Sequence, residues 1–411
     1  MKHLRLVAFV FFLQTIVCCN TFAQTFTTLN KGGSSRKDYY SVIPYEEFDN
    51  LMIIKVMING KEYRFLFDTG AMVCISDSLM KELQLPEIKR LEISDSSDKK
   101  DSLSVVMLKE IQLDSLFFRD IPAMVFKENE QFTCLGIDGI IGSNLLRNSI
   151  VRFSKLERNI VITDNPKRLN LKSKKKLSQK LFLTHGQSSP YFRLEIKNKK
   201  TARVQLLFDS GSNGFFDLSL RHFNHFEKYR GSKFYDILSK TEGGSSLGVH
   251  GKENDTVQYA LHTQNMKINR AVFKEVNFYS TADDNSRVGA ALLKHGVVTI
   301  DYINKRFYFE PYFEKEKELA EKIQPLRLTW DKGRPVVGIV WDETLRKTIS
   351  PGDIVLFIND ENMENLFHCD FMKNRWNYFQ GDKVTLTVRK AEGIVRTVSV
   401  MDFIMQQNNL R

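Results

Sequence analysis

Along the first half of the chain the apolar positions come in short runs rich in β-branched and aromatic residues. Examples are LMIIKVMI (51 to 58), EYRFLF (62 to 67), SVVMLKEIQL (104 to 113) and AMVF (123 to 126). Polar breaks separate them, among them Asn59-Gly60, a favoured hairpin turn, so the pattern predicts strands and a mainly β region. Helical spacing is confined to short stretches, one starting near Ser76 and one near Asp217, the latter ending at Gly231 as helices often do. Beyond about residue 324 a further set of strand-like runs follows, VVGIVW (336 to 341), DIVLFIND (353 to 360), KVTLTVRK (383 to 390) and VRTVSVM (395 to 401), which marks a separate unit.

Laid over one another, two segments of this pattern coincide. DGIIGSNLLRNSIVRFSKLERNI (138 to 160) aligns without a gap to NSRVGAALLKHGVVTIDYINKRF (285 to 307), Gly142 meeting Gly289 at an offset of 147 (289 − 142). Upstream, FLFDTGAMV (65 to 73) and LLFDSGSNG (206 to 214) repeat at an offset of 141 (209 − 68), so the second copy carries six extra residues between its two landmarks. A repeat on this scale predicts two lobes of similar architecture. They are divided by KRLNLKSKKKLSQK (167 to 180), seven Lys/Arg without an acidic residue, which reads as a solvated connector.

Composition narrows the class. With 411 residues, 42% hydrophobic and 31 Phe, the chain can bury more than one core and is not a disordered one. Residues 1–23 have a basic start, an apolar stretch from Leu6 to Val17 and small residues at Thr21 and Ala23, which suits a cleaved export signal. A lipid anchor at Cys19 is the alternative. Cleavage would lower the formal charge from +11 to +9, since Lys2 and Arg5 depart without an acidic residue. The basic connector lacks the interleaved aromatics of a nucleic-acid surface, so no nucleic-acid partner is expected. Cys74, Cys134 and Cys369 would remain; an odd, small set is no disulfide framework, and it reads as buried free thiols or as one Cys74–Cys134 bridge.

The candidate chemistry lies in the two triplets, Asp68-Thr69-Gly70 and Asp209-Ser210-Gly211. One such triplet arises by chance in roughly one in five or six chains of this length. Two copies, each after Leu-Phe or its like and each followed 74 or 80 residues later by Gly-x-x-Leu-Leu, are a stronger signal (142 − 68; 289 − 209). Like carboxyls held a few ångströms apart cannot both ionise comfortably, so a pair retains one proton, and one member can take a proton from water while the other donates to a carbonyl. The sequence leaves open which member carries it. A hydroxyl beside each Asp can bridge the lobes, and Gly lets backbone N–H approach the carboxylate.

On these residues the chain resembles the retropepsin-like aspartic proteases, in the bacterial form that carries both lobes in one exported chain. The resemblance covers about residues 45 to 310. It implies a mainly β fold with two pseudo-symmetric β-barrel lobes, 45–166 and 186–315, joined by a basic linker, 167–185, and preceded by a leader, 24–44. Asp68 and Asp209 would be catalytic, with Thr69, Gly70, Ser210, Gly211, Gly142 and Gly289 supporting their loops. A water held between the aspartates would attack a peptide or protein substrate, with no metal or organic cofactor, in an exported monomer acting in the periplasm or cell envelope of a bacterium, or secreted from it. The second copy departs from the pattern at Arg287, where an apolar residue is expected. The resemblance also implies flaps, for which 95–104 and 241–255 are the candidates. Residues 324–405 resemble a PDZ-like α+β domain through Ser350-Pro351-Gly352-Asp353-Ile354-Val355 and Phe357-Ile358-Asn359-Asp360, while 333–337 lack its Gly-apolar-Gly loop. Peptide capture by strand addition and a purely structural role both remain open.

Gly244-Ser245-Ser246-Leu247-Gly248 matches G-x-S-x-G, but the required helix does not follow it, so a hairpin is expected. His222 and His225 lack a third metal ligand at a telling spacing and read as surface histidines. The rival to proteolysis is a non-catalytic peptide-binding or scaffold protein of the envelope that keeps the double-lobed cleft.

Overall fold

The computed structural model describes residues 29–401 apart from 95–99, 128–129, 232, 245–246, 249–250, 253–254, 320–322, 375–377 and 380–382. The expected export signal lies outside the described residues, as do 95–99 of the first candidate flap and 245–246, 249–250 and 253–254 of the second.

Two nine-stranded sheets, one drawn from each half, share an order of pairing. In the first, Lys61–Phe67 runs antiparallel to Leu51–Ile58 and parallel to Gly139–Ile141, with Phe67 opposite Ile141. Gly139–Ile141 then pairs with Cys74–Ser76, which lies parallel to Leu116–Phe126. In the second, Thr201–Asp209 runs antiparallel to Pro190–Lys197 and parallel to Arg287–Gly289, with Phe208 opposite Val288. Arg287–Gly289 pairs with Phe216–Ser219, which lies parallel to Ala271–Thr281. Each sheet closes on itself through a further contact, Leu51–Ile58 to Lys100–Leu113 in one and Pro190–Lys197 to Thr256–Ile268 in the other. Closure removes the exposed strand edges that an open sheet would leave.

A third sheet belongs to both halves. Ile150–Ser154 pairs antiparallel with Gly296–Asp301, and the sheet extends through Asn159–Thr163 to Tyr40–Pro44 on one side and through Arg306–Pro311 to Ser178–Lys180 on the other. The leader expected over 24–44 therefore contributes a strand. So does the connector: its cations stay mostly exposed, but Leu169 and Leu171 are buried with Ile150, Val161 and Tyr308. Alternate leucines, rather than a tether of fixed length, hold the basic segment down.

Phenylalanines fill the space between this shared sheet and the barrels. Phe67 meets Phe153 edge-on at 5.6 Å, Phe153 meets Phe208 at 5.7 Å, Phe208 meets Phe307 at 5.9 Å, and Phe307 stacks on Phe192 at 4.0 Å. The Phe before each Asp thus anchors its loop in one continuous core, aromatic contacts of this kind adding to plain area burial. Ser76 caps the helix Asp77–Glu82, its Oγ accepting from the Leu79 N–H, and Ser219 caps Leu220–Arg230 by accepting from the His222 N–H. The second helix starts three residues later than the pattern predicts because Phe216–Ser219 is drawn into the sheet as a strand.

Residues 326–401 build a sheet of their own around Leu326, Val337, Val355, Phe371 and Leu386, with the helix His368–Asn374 against it. This unit is tied to both halves. Cys134, on the helix Glu130–Leu135, forms a disulfide with Cys369, which corrects the reading of free thiols or a Cys74–Cys134 bridge; among the described residues Cys74 is left as the free thiol. The residues at 134 and 369 meet only because the third unit folds back over the first half, a proximity that spacing along the chain does not encode. On the other side the Gly244 N–H donates to the Gly338 carbonyl at 3.1 Å, Ser239 Oγ donates to the Trp341 carbonyl at 2.7 Å, and Arg346 donates to the Lys240 carbonyl at 2.7 Å. The hairpin of Asp236–Gly243 and Thr256–Ile268 is thereby sewn to the strand Arg334–Val340.

The bridge closes a loop of 235 residues, for which chain entropy alone gives about 5 kcal/mol. Cys369→Ser should lower unfolding stability by up to about that amount, read from denaturant melts. Non-reducing peptide mapping should return residues 134 and 369 linked and the thiol of Cys74 free.

Candidate active site

Both triplets sit at the ends of strands that enter the same central region. Thr201–Asp209 ends at Asp209, paired with Gly289, and Asp68 follows Phe67 with its N–H donating to the Ile141 carbonyl at 2.9 Å. The small residues that predict this are placed where a side chain would collide. A Cβ on Gly142 would enter the Met72 backbone, and one on Gly289 would enter the carbonyls of Gly214 and Ser212.

Reciprocal bonds lock the loops together. Thr69 Oγ1 donates to the Phe208 carbonyl at 2.7 Å and accepts from the Ser210 N–H at 3.1 Å. Ser210 Oγ donates to the Phe67 carbonyl at 2.8 Å and accepts from the Thr69 N–H at 3.0 Å. Both hydroxyl residues are fully buried, so four bonds between the halves form without competition from water. Asn50 adds another crossing, its side-chain amide donating to the Asn213 carbonyl at 3.0 Å.

These bonds bring the carboxylates together. A Cβ at Gly70 would lie 2.7 Å from Asp209 Cγ, and one at Gly211 would collide with the Asp68 carboxyl, so each glycine leaves room for the opposite aspartate. Asp68 Oδ1 accepts from the N–H groups of Gly70 (2.7 Å) and Ala71 (3.1 Å), and Asp209 Oδ1 accepts from Gly211 (3.0 Å). Loss of water, then the charge of Asp209 and a side-chain hydrogen bond with it, push the Asp68 carboxyl well above the usual carboxylate range, against the two backbone donors. Two carboxyls sharing a hydrogen bond can do general acid and general base work on one water.

Three features were not foreseen as parts of the site. Arg287, marked in the sequence only as a departure, donates from a terminal guanidinium nitrogen to Asp209 Oδ2 at 3.2 Å and pairs through the other with Asp283. Ser143 Oγ donates to the Thr69 carbonyl at 2.6 Å and lies 3.0 Å from the Tyr302 hydroxyl, bracing the first loop from behind. Gln187, in the turn after the connector, donates to the Gly70 carbonyl at 2.9 Å. The signals were an unexpected cation for Arg287 and none for the other two. His222, set aside as a surface residue, is half-buried with Nδ1 2.7 Å from Ser286 Oγ, which also accepts from the Ser219 N–H at 2.9 Å. Leu247–Gly248 pairs antiparallel with Gly251–Lys252, so among the described residues the G-x-S-x-G match is followed by strand.

Residues 54–145 match the family model described as aspartyl protease, a span that takes in Asp68, Thr69, Gly70 and Gly142. No curated protein matches the chain. Among solved structures, the chain is similar to a retropepsin-like aspartic protease from Rickettsia conorii at 15% identity and a TM-score of 0.24, over 31% of this chain and 95% of that one. It is similar to Basic 7S globulin from soybean at 10% identity and a TM-score of 0.39, over 66% and 95%. Conglutin gamma, a basic 7S globulin from lupine seeds, aligns at 11% identity and a TM-score of 0.38, over 67% and 95%. The aspartyl protease pattern is thus present in the first half of a mainly β chain.

Ser210→Ala removes one interlobe donor and one acceptor. It should cost about 1–3 kcal/mol for each buried backbone group left unpaired, seen as a lower denaturation midpoint with an unchanged slope. The raised Asp68 carries a pH signature of its own. Because the folded protein holds this proton more tightly than the unfolded chain, its contribution to stability is complete below the ordinary value of 3.8 and is lost as pH rises through the folded-state value. Asp68→Asn stays neutral throughout, so its stability relative to the unaltered protein should grow between acid and neutral pH in parallel denaturant melts.

Proposed function

We propose that the protein is an exported aspartic endopeptidase in which Asp68 and Asp209 bind and activate one water between them. The observation that carries this is the meeting of the two carboxyls across the Thr69–Ser210 lock, with each aspartate nested against the glycine of the other loop. The matched strand pairings favour reading the two barrels as a pseudo-symmetric pair, each giving one aspartate. In the reaction the ionised member takes a proton from water as its oxygen attacks the peptide carbonyl, while the protonated member donates to the carbonyl oxygen. In the second step the proton taken from water passes to the leaving nitrogen, the tetrahedral hydroxyl returns a proton to the other carboxyl, and the C–N bond breaks. Acid, amine and the starting pair result, and neither metal nor organic cofactor enters.

We read the boundaries as 1–23 for the export signal, 45–166 and 186–315 for the lobes, and 324–405 for a PDZ-like unit, in a protein of the periplasm or cell envelope. The bonding of Gly338 to Gly244 favours a structural use of that unit over capture of a free peptide at the same strand. One chain supplies both carboxyls, so the reading calls for a monomer.

The binding-only reading draws on one observation, the ion pair that Arg287 places on Asp209. A diverse peptide library assayed from acid to neutral pH separates the two. Cleavage is expected from the monomeric fraction on size exclusion and should fall by several orders of magnitude in Asp68→Asn and in Asp209→Asn, with circular dichroism unchanged. A protein that cuts nothing across that range would favour binding only.

A further inference from the structure

The two carboxyls of the candidate site are not equivalent. Among the described residues a cation sits on Asp209 and none on Asp68: Arg287 reaches Asp209 Oδ2 from the strand Arg287–Gly289, and the same guanidinium is held from behind by Asp283. Position 287 corresponds to Ile140 in the first half, since both lie two residues before the glycine behind the loop and pair with the equivalent strand, Ile140 with Cys74 and Arg287 with Asp217. No side chain at 140 can do for Asp68 what Arg287 does for Asp209.

We infer that Arg287 is a positioning residue that fixes the single proton of the pair on Asp68, leaving Asp209 as the ionised member that receives the proton of the attacking water. Its catalytic meaning rests on the aspartic-peptidase reading, whereas the placement of the proton does not. The geometry gives Asp209 Oδ1 to the Gly211 N–H and Oδ2 to the guanidinium, so both oxygens already accept from donors and a carboxyl hydrogen there would face a cation. Asp68 takes its backbone donors on Oδ1 alone.

The other charges around the pair agree with this order. Arg287 is desolvated, which works against its charge, but Asp283, Asp209 and Asp217 together outweigh that and hold the guanidinium firmly protonated. Burial pushes Asp283 upward against the pull of Arg287. The remaining titratable neighbours are Tyr191 beside Asp209, and Cys74 and Tyr302 beside Asp68; burial raises all three, so they stay neutral over the acid to neutral range. An opposite charge this close lowers a carboxyl by about 1–3 pH units.

Side-chain carbon resonances of labelled aspartate in the full chain test this without reliance on turnover, with Asp68→Asn and Asp209→Asn assigning the signals. Asp209 should titrate first from the acid side and Asp68 well above it. In Arg287→Leu the Asp209 step should rise by about 1–3 pH units, and the acid limb of any peptide cleavage should move up with it. Arg287→Lys should restore part of the shift, which a purely structural role would not produce. Asp209 titrating above Asp68 in the unaltered protein, or an Asp209 step that stays put in Arg287→Leu, overturns the inference. Should Arg287→Leu not fold, the order of the two steps in the unaltered protein decides alone. A protein with the expected titrations but no cleavage would sink the peptidase reading and leave the proton where we place it.

Discussion

Four hydrogen bonds between Thr69 and Ser210, and the carbonyls just before the two aspartates, are the constraint on which the rest of the structure turns. Two carboxyls held this close repel one another and lose hydration, so nothing in their own chemistry draws them together. The hydroxyls do. Each hydroxyl both donates and accepts across the junction, which satisfies backbone groups that burial would otherwise leave costly. The lock is therefore strongest where water is absent, and the carboxyls inherit a fixed separation from it rather than from any attraction of their own.

The surrounding fold supplies the dryness. The sheet shared by the two halves sets Phe153 between Phe67 and Phe208, so the residues that precede the aspartates are wedged against one ring. Moving one loop relative to the other would disturb a packed aromatic column as well as the hydrogen bonds. Close packing resists small displacements of this sort, which is how a core transmits order to a site at its edge. The braces behind the loops, Ser143 on Thr69 and Gln187 on Gly70, work on the same principle from the first half and from the turn after the connector.

Much of this was legible before any coordinates. A doubled Asp-hydroxyl-Gly after an apolar run carries its own spacing, and the paired Gly-x-x-Leu-Leu segments mark Gly142 and Gly289, the two glycines packed against the loops. Local rules also placed two short helices, one starting near Ser76 and one near Asp217, though the second begins three residues later, at Leu220, because tertiary pairing drew Phe216–Ser219 into a strand. What stayed hidden depended on contacts between distant segments. Arg287 looks like a flaw in an apolar strand until Asp283 and Asp209 are seen around it. The connector looks loose because its lysines dominate the text, while Leu169 and Leu171 do the packing. Nothing near Cys134 announces Cys369.

That last contact bears on how the chain reaches its oxidised form. Cys74 lies much nearer to Cys134 in sequence than Cys369 does, and in an unfolded chain it would be the more frequent collision partner. In the folded first half its thiol is pushed up to about 12 by desolvation, and it points at the Met72 carbonyl 3.4 Å away. Exchange requires a thiolate, and at that value almost none exists near neutral pH. In the folded protein the cysteine nearer to Cys134 along the chain is thus kept as an unreactive thiol, and the bridge is made with Cys369 from the last part of the chain.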